Sequence, residues 1–434
     1  MVIAERLSDG AEVWLDPMRD VRSVAVGVTL AGGSADERES QLGATHFLEH
    51  LLFKRSRRRS GPAIARMTDR LGGDCDAYTT KESVTFHART TADRLDDALA
   101  LLLDLTEAPA FTAADVEVER GVILEEMAEA SDVPEDRLHD TFVRLFWPDH
   151  PLGAPILGTE ASVKGLTRRS LVERFREVFT PERTVWVAAG AFDPRTFRTR
   201  LERTRARRRT GRSSARRATG TPAPPAARPS PRAERCTVHI PRPDLSQTHL
   251  LLGVPAPRHV HRLVPATWIV STVLGGGVSS RLWRDVRERH GLAYHVGTGL
   301  TLHREAGLAL LEAATAPKNL PRLVRTTGRT LKRLASDGVS RAELRRAKDQ
   351  IRAEIALSLE STAARRERST RDWLYRGAPY GTDALLADVE AVSASDVEEA
   401  IGRVWGATGR YGLGVTGPTL AGASLDDLVG ELAA

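Results

Sequence analysis

Cysteine is nearly absent from this chain: 434 residues hold two, Cys75 and Cys236. They fall in what read as different domains and lack the spacing of a metal-binding pair. That argues against a disulfide framework and against a cysteine-ligated metal. Packing is the plain reading for Cys75. Long apolar runs are missing too, and no stretch approaches the length of a membrane span. The N-terminus, Met1-Val2-Ile3-Ala4-Glu5-Arg6-Leu7, lacks the basic region and apolar core of a secretory signal. A cytoplasmic protein with no membrane partner is the expectation. Lysine is scarce, with arginine outnumbering it about nine to one, which reflects a GC-rich coding sequence rather than function. The formal charge of +6 invites a nucleic-acid reading, but its distribution argues against one. Residues 203–235 carry eleven arginines against one acid, Glu234, a net +10 that leaves −4 for the rest of the chain. With Pro222, Pro224, Pro225, Pro229 and Pro231, that segment cannot bury a core and reads as a flexible basic linker.

What the chain does contain is His46-Phe47-Leu48-Glu49-His50. A helix places residues i and i+4 on one face, so His46 and His50 can grip one metal ion. Glu49 lies beside that face, within reach of a water there. Two imidazoles and an adjacent carboxylate are what zinc-assisted amide hydrolysis requires. Composition alone predicts such a pentamer only roughly 0.02 times in a chain this long. Apolar Phe47, Leu48, Leu51, Leu52 and Phe53 suggest a buried helix, in which two histidines and a glutamate must find partners.

A zinc site needs a third protein ligand. Residues 117–127 read as a helix with four glutamates. Glu119 and Glu126 are seven residues apart and share a face, whereas Glu125 points about 100° from Glu126. Glu126 is therefore the expected ligand and Glu119 an outer carboxylate that orients the site. The plain alternative is an acidic solvated face.

Here the chain resembles the pitrilysin and mitochondrial processing peptidase family, the inverzincins. The resemblance rests on His-Phe-Leu-Glu-His followed by Glu126, on Ala31–Glu37, on Gly72–Glu82, on His150-Pro151-Leu152-Gly153 with Gly158-Thr159, and on Leu274–Leu282 with Arg287-Glu288 and Gly291-Leu292-Ala293-Tyr294. It spans both halves of the chain. It implies a zinc metalloendopeptidase with Zn2+ on His46, His50 and Glu126, and Glu49 as general base. It also implies an edge strand around Asp76 and Ala77 that binds extended peptide by strand addition. Asp76 stands where the family commonly has Asn. This change favours basic peptides or serves a local backbone hydrogen bond. Arg287 and Tyr294 match the family's substrate-contacting pair, suited to a substrate carbonyl and a developing oxyanion. The plain alternative is a surface arginine and a core tyrosine.

The order of elements suggests a diverged repeat. A strand at Ser23–Leu30 precedes helices at 41–53 and 61–71 and a hairpin of 73–79 and 82–90. Helices at 92–107, 113–131, 134–147 and 168–178 and a strand at Thr184–Ala189 follow. The second half runs strand Thr248–Val254, helices 263–274 and 279–289, strands 293–301 and 306–314, helices 318–336, 340–360 and 394–404, and a strand at 410–416. This predicts an α+β fold of two related domains, each a mixed sheet packed with long helices. The expected bounds are a catalytic domain at 1–202, the linker at 203–235 and a related domain without metal at 236–434. Gly275-Gly276-Gly277 lacks the rest of a phosphate loop and reads as a tight turn. Only the first half has His-x-x-Glu-His. One chain carries both the zinc motif and the Arg/Tyr pair, so the resemblance implies a homodimer with a closed chamber for peptides or unfolded segments. Its alternatives are a precursor-processing subunit of a heterodimer and a non-catalytic structural subunit.

Overall fold

A computed structural model describes residues 2–72, 74–206, 228–406 and 411–418. Eleven strands form two sheets among these residues. The first joins β1 (Ile3–Arg6), β2 (Glu12–Pro17), β3 (Ser23–Ala31), β4 (Asp74–Thr79), β5 (Ser83–Thr91) and β6 (Thr184–Gly190) in the order β1-β2-β6-β3-β5-β4. The second joins β7 (Cys236–Pro241), β8 (Thr248–Ala256), β9 (Ala293–Leu302), β10 (Gly307–Thr315) and β11 (Gly412–Gly417) in the order β7-β11-β8-β10-β9.

The repeat is plain in the pairing. β2 runs parallel to β6, and β7 runs parallel to β11. Every other neighbour is antiparallel. Dropping β1 superposes the two strand orders one for one, which is the two-domain α+β fold expected from the sequence. In each sheet the middle strands are apolar because both faces are covered. β3 and β6 are buried along almost their whole length, as are most residues of β8 and β10.

The chain divides into two compact units that differ from the sequential division at 202 and 236. One unit comprises Met1–Met127, Ala154–Ala226 and Ala356–Gly381; the other comprises Ala128–Gly153, Ala227–Ile355 and Thr382–Ala434. The helix Pro134–Phe146 thus covers the second sheet, and the helix Thr362–Arg376 covers the first. Glycines make room for both. A Cβ on Gly253 or Gly412, directly opposed in the β8–β11 register, would lie 2.4 Å or 2.5 Å from the Phe142 ring. A Cβ on Gly27 would lie 3.0 Å from Nη1 of Arg366. Long-range polar contacts fix the second helix to its sheet. Arg365 donates twice to Asp16, at 2.7 Å and 2.6 Å, and Tyr375 donates to Glu82 at 2.8 Å.

The first residues of the expected basic linker, 203–206, are helical and end the helix Pro194–Ala206. Arg205 is held there by Asp9 and Glu107, each at 2.7 Å. Residues 207–227 of the linker, Gly73, residue 410 of the last expected strand and residues 419–434 of the second expected domain lie outside the described residues. Around 279–289, where a helix was expected, the chain makes one wide turn of π-helix, Trp283–Glu288.

Candidate metal centre

The motif helix, Ala44–Lys54, starts at Gly43, whose φ of 87° is left-handed. A side chain there would meet the Leu157 carbonyl at 2.5 Å, so glycine is required. Buried Glu37 caps the helix by accepting from the N–H groups of Gly43 at 2.7 Å and Thr45 at 2.5 Å. Burial pushes its carboxyl pKa above the ordinary value, against those hydrogen bonds and the nearby Arg174. Arg174, also buried, donates to Thr45 Oγ1 from Nε and Nη2, both at 3.1 Å, and to the Gly33 carbonyl at 2.9 Å. Sequence reasoning missed both residues as supports of the motif. Glu37 does close the Ala31–Glu37 segment, but nothing in the spacing marks Arg174.

Facing this helix is the helix Ala113–Asp132. The four glutamates of its stretch 117–127 separate as periodicity requires. Glu117 and Glu125 are exposed, whereas Glu119 is 2% exposed and Glu126 is half-buried against the histidines. A purely solvated acidic face is thereby excluded. Glu126 Oε2 lies 3.7 Å from His46 Nε2 and 3.4 Å from His50 Nε2. Glu119 Oε2 lies 3.3 Å from His50 Nδ1. His46, His50 and Glu126 each offer a ligand atom within 4.8 Å of the others.

These residues fit a zinc ion. Tetrahedral ligands at ~2.1 Å from a metal stand about 3.4 Å apart, close to the separations from Glu126 Oε2 to the two imidazoles. Glu126 Oε2 and His46 Nδ1 are buried without an aligned hydrogen-bond partner in the protein, and a cation between the imidazoles and the carboxylate would satisfy the oxygen. The electrostatics agree. Burial depresses His46 to about 4, with His50 adding to the effect and Glu126 opposing it, so at neutral pH one ring nitrogen keeps its lone pair. Burial also works against a charged His50, but Glu126, Glu49 and Glu119 outweigh it and hold its pKa above the usual histidine value. His50 and His46 in turn hold the Glu126 carboxyl below its usual range, against burial.

Glu49 sits beside these candidate ligands. Burial pushes its pKa up, offset in part by a 2.5 Å hydrogen bond from the Thr79 hydroxyl and by His50. Thr79 ends β4, an edge strand of the first sheet among the described residues. It is a further residue that the sequence did not single out. Ala77 lies on the same strand. Asp76 is exposed, and its Oδ1 accepts from the Ala77 N–H at 2.8 Å, the local backbone hydrogen bond foreseen as one of its two roles.

In the other unit Arg287 is held between two rings, with its guanidinium carbon 4.0 Å from the Trp283 ring centre and 4.5 Å from that of Tyr294. Tyr294 is 78% exposed and is not a core tyrosine. Trp283, one turn before Arg287, completes the stack and was not anticipated.

Known proteins share this architecture. Residues 16–160 match the family model described as Insulinase (Peptidase family M16), and residues 165–351 match the one described as Peptidase M16 inactive domain. A Mycobacterium tuberculosis protein named as an uncharacterized zinc protease is 36% identical over 95% of this chain and 92% of its own length. The chain belongs to the M16 peptidase family. A similarly named Bacillus subtilis protein is 31% identical over 90% of this M16 chain and 92% of its own length. The crystal structure of a protease from Helicobacter pylori shares the fold, with a TM-score of 0.85 at 18% identity over 96% of this chain and 100% of that one. The description of the second M16 model as inactive agrees with the absence of a second His-x-x-Glu-His from the C-terminal half. Among the described residues no helix is long and apolar enough to cross a membrane.

Proposed function

We propose that this M16 protein is a zinc-dependent endopeptidase that cleaves peptides or unfolded segments. The convergence of His46, His50 and Glu126, with Glu49 alongside, carries the reading. His46, His50 and Glu126 would hold the ion. When bound, zinc polarises the scissile carbonyl and lowers the pKa of water to about 7. Glu49 accepts the proton of the attacking water and returns it to the leaving amine. Its raised pKa suits that exchange, and Thr79 fixes its carboxylate.

The edge at β4 offers backbone groups to an extended peptide, beside Thr79 and Glu49. Ala77 contributes backbone to that edge. Asp76 first has to release the Ala77 N–H, and its charge favours basic residues in the peptide. Arg287 and Tyr294 serve as substrate-contacting residues. The flanking rings fix the arginine fork, which binds a substrate carbonyl, and the exposed Tyr294 hydroxyl is free to meet an oxyanion. Glu119 orients His50. The working form in this reading is a cytoplasmic homodimer enclosing a peptide chamber, and nucleic acid is not a partner.

Glu49→Gln keeps the shape of the site and removes the base. It should retain one zinc per chain and lose at least ~100-fold in kcat, the scale of general-base catalysis. Zinc content by atomic absorption and cleavage of a mixed peptide library check this. Undiminished cleavage by the variant would refute the assignment. Broad cutting by the native chain would favour general peptide breakdown, and one preferred site would favour precursor processing.

A further inference from the structure

The motif helix presents a third residue on its metal-facing stripe. His46, His50 and Lys54 follow one another at four-residue spacing, and opposite them stand Glu126 and Glu119 at seven-residue spacing. The two stripes interlock. Glu126 meets both histidines, and Glu119 meets His50 and Lys54. Lys54 Nζ lies 2.6 Å from Glu119 Oε1, while Glu119 Oε2 lies 3.3 Å from His50 Nδ1. Each carboxylate oxygen thus faces its own partner, an ammonium in an ion pair that is not an aligned hydrogen bond at Oε1 and an imidazole nitrogen at Oε2. Its side chain is 3% exposed, that of Lys54 41%. The lysine stem therefore reaches in from the surface to a buried group. Lys54 also acts on the nearby Asp115 through its charge, but Asp115 Oδ2 is engaged by Arg55 at 3.1 Å and by the Thr112 hydroxyl at 2.6 Å.

We propose that Lys54 is a positioning residue of the metal centre, holding Glu119 so that its free oxygen fixes the ring of His50. The inference rests on the zinc reading above. A ligating imidazole is oriented by the partner of its other ring nitrogen. A carboxylate held at one oxygen only can rotate about its last torsion, which is broad and roughly two-fold. The second grip removes that freedom. Three glutamates also crowd this site, Glu49, Glu119 and Glu126, and Lys54 is the cation that offsets the one facing away from the ion.

Zinc affinity of the full chain, measured by competition with a chromophoric chelator, tests the inference. The variants are Lys54→Met, Lys54→Arg, Glu119→Gln and the pair Lys54→Met with Glu119→Gln. Loss of an outer partner costs ~10–100-fold in metal affinity. Lys54→Met should weaken zinc by about 10-fold, and Lys54→Arg should recover most of that loss because it restores the cation. The double variant should bind no more weakly than Glu119→Gln, since the lysine acts through that glutamate. Thermal unfolding of the metal-free variants identifies any that fail to fold, and Lys54→Gln replaces Lys54→Met in that case. Native affinity in Lys54→Met, or losses that multiply in the double variant, would overturn the role of Lys54 alone. A native chain that takes up no zinc would overturn the zinc reading and this inference with it.

Discussion

At the scale of single residues, this protein uses charged groups as brackets around helix ends. Glu37 holds the start of the motif helix by two backbone N–H groups. Glu343 does the same work in the other unit. It accepts the Ser340 N–H at 2.9 Å and the Ser340 hydroxyl at 2.8 Å, and its own N–H reaches Ser340 Oγ at 3.3 Å, a capping box at the start of the helix Arg341–Ser358. Arg281 closes on the same carboxylate through two 2.8 Å contacts. Hydrogen bonding to Arg281 holds the Glu343 pKa at about 2, against burial and well below the ordinary 4.5. A carboxylate depressed in the folded state stabilises it fully above the unfolded pKa and loses that contribution as pH falls through the folded one. The window therefore runs from about 4.5 down to about 2. Glu343→Gln should cost about 1–2 kcal/mol at pH 7. Its gap from the native chain should close as pH falls through that window. Urea unfolding at stepped pH measures the gap, and a gap that stays constant down to pH 2.5 would contradict this account.

At the scale of elements, the decisive feature is a helix resting on glycine. Phe142 lies over Gly253 and Gly412, neighbours across β8 and β11, so its ring approaches the sheet backbone. Gly253→Ala would force the ring away, and overpacking of this kind costs ~1–3 kcal/mol. Calorimetry should show a lower melting temperature for Gly253→Ala, with part of the loss recovered when Phe142→Leu is added. If the second change deepens the loss instead, the close contact is not the cause. The motif helix was legible at this scale, because its apolar positions and His/Glu spacing follow one helical period. So was Glu126 as the facing carboxylate, picked from four glutamates by that same period. The helix Thr362–Arg376 was not legible. It carries five arginines and shows little apolar periodicity. It is buried through ion pairs to residues such as Asp16, some 350 positions away in sequence. The strands β1, β2 and β7, of four to six residues, escaped notice.

At the scale of the whole molecule, one chain carries the candidate zinc ligands in one unit and the Arg287/Tyr294 pair in the other. A chain with both parts can complete its sites with a second copy of itself, and the proposed homodimer follows. Light scattering at micromolar concentration should give twice the chain mass, and a persistent monomer would count against the dimer. The sequence by itself determined the candidate metal ligands, the carboxylate beside them and the doubled α+β plan. All of these are local periodicities, set by helix and strand geometry over a few turns. Tertiary structure alone decided which sheet each of the helices Pro134–Phe146 and Thr362–Arg376 would cover, and how Glu37, Arg174, Thr79 and Lys54 brace the motif. Those outcomes depend on glycine clearances and ion pairs between residues far apart in the chain, and no local pattern records such pairings.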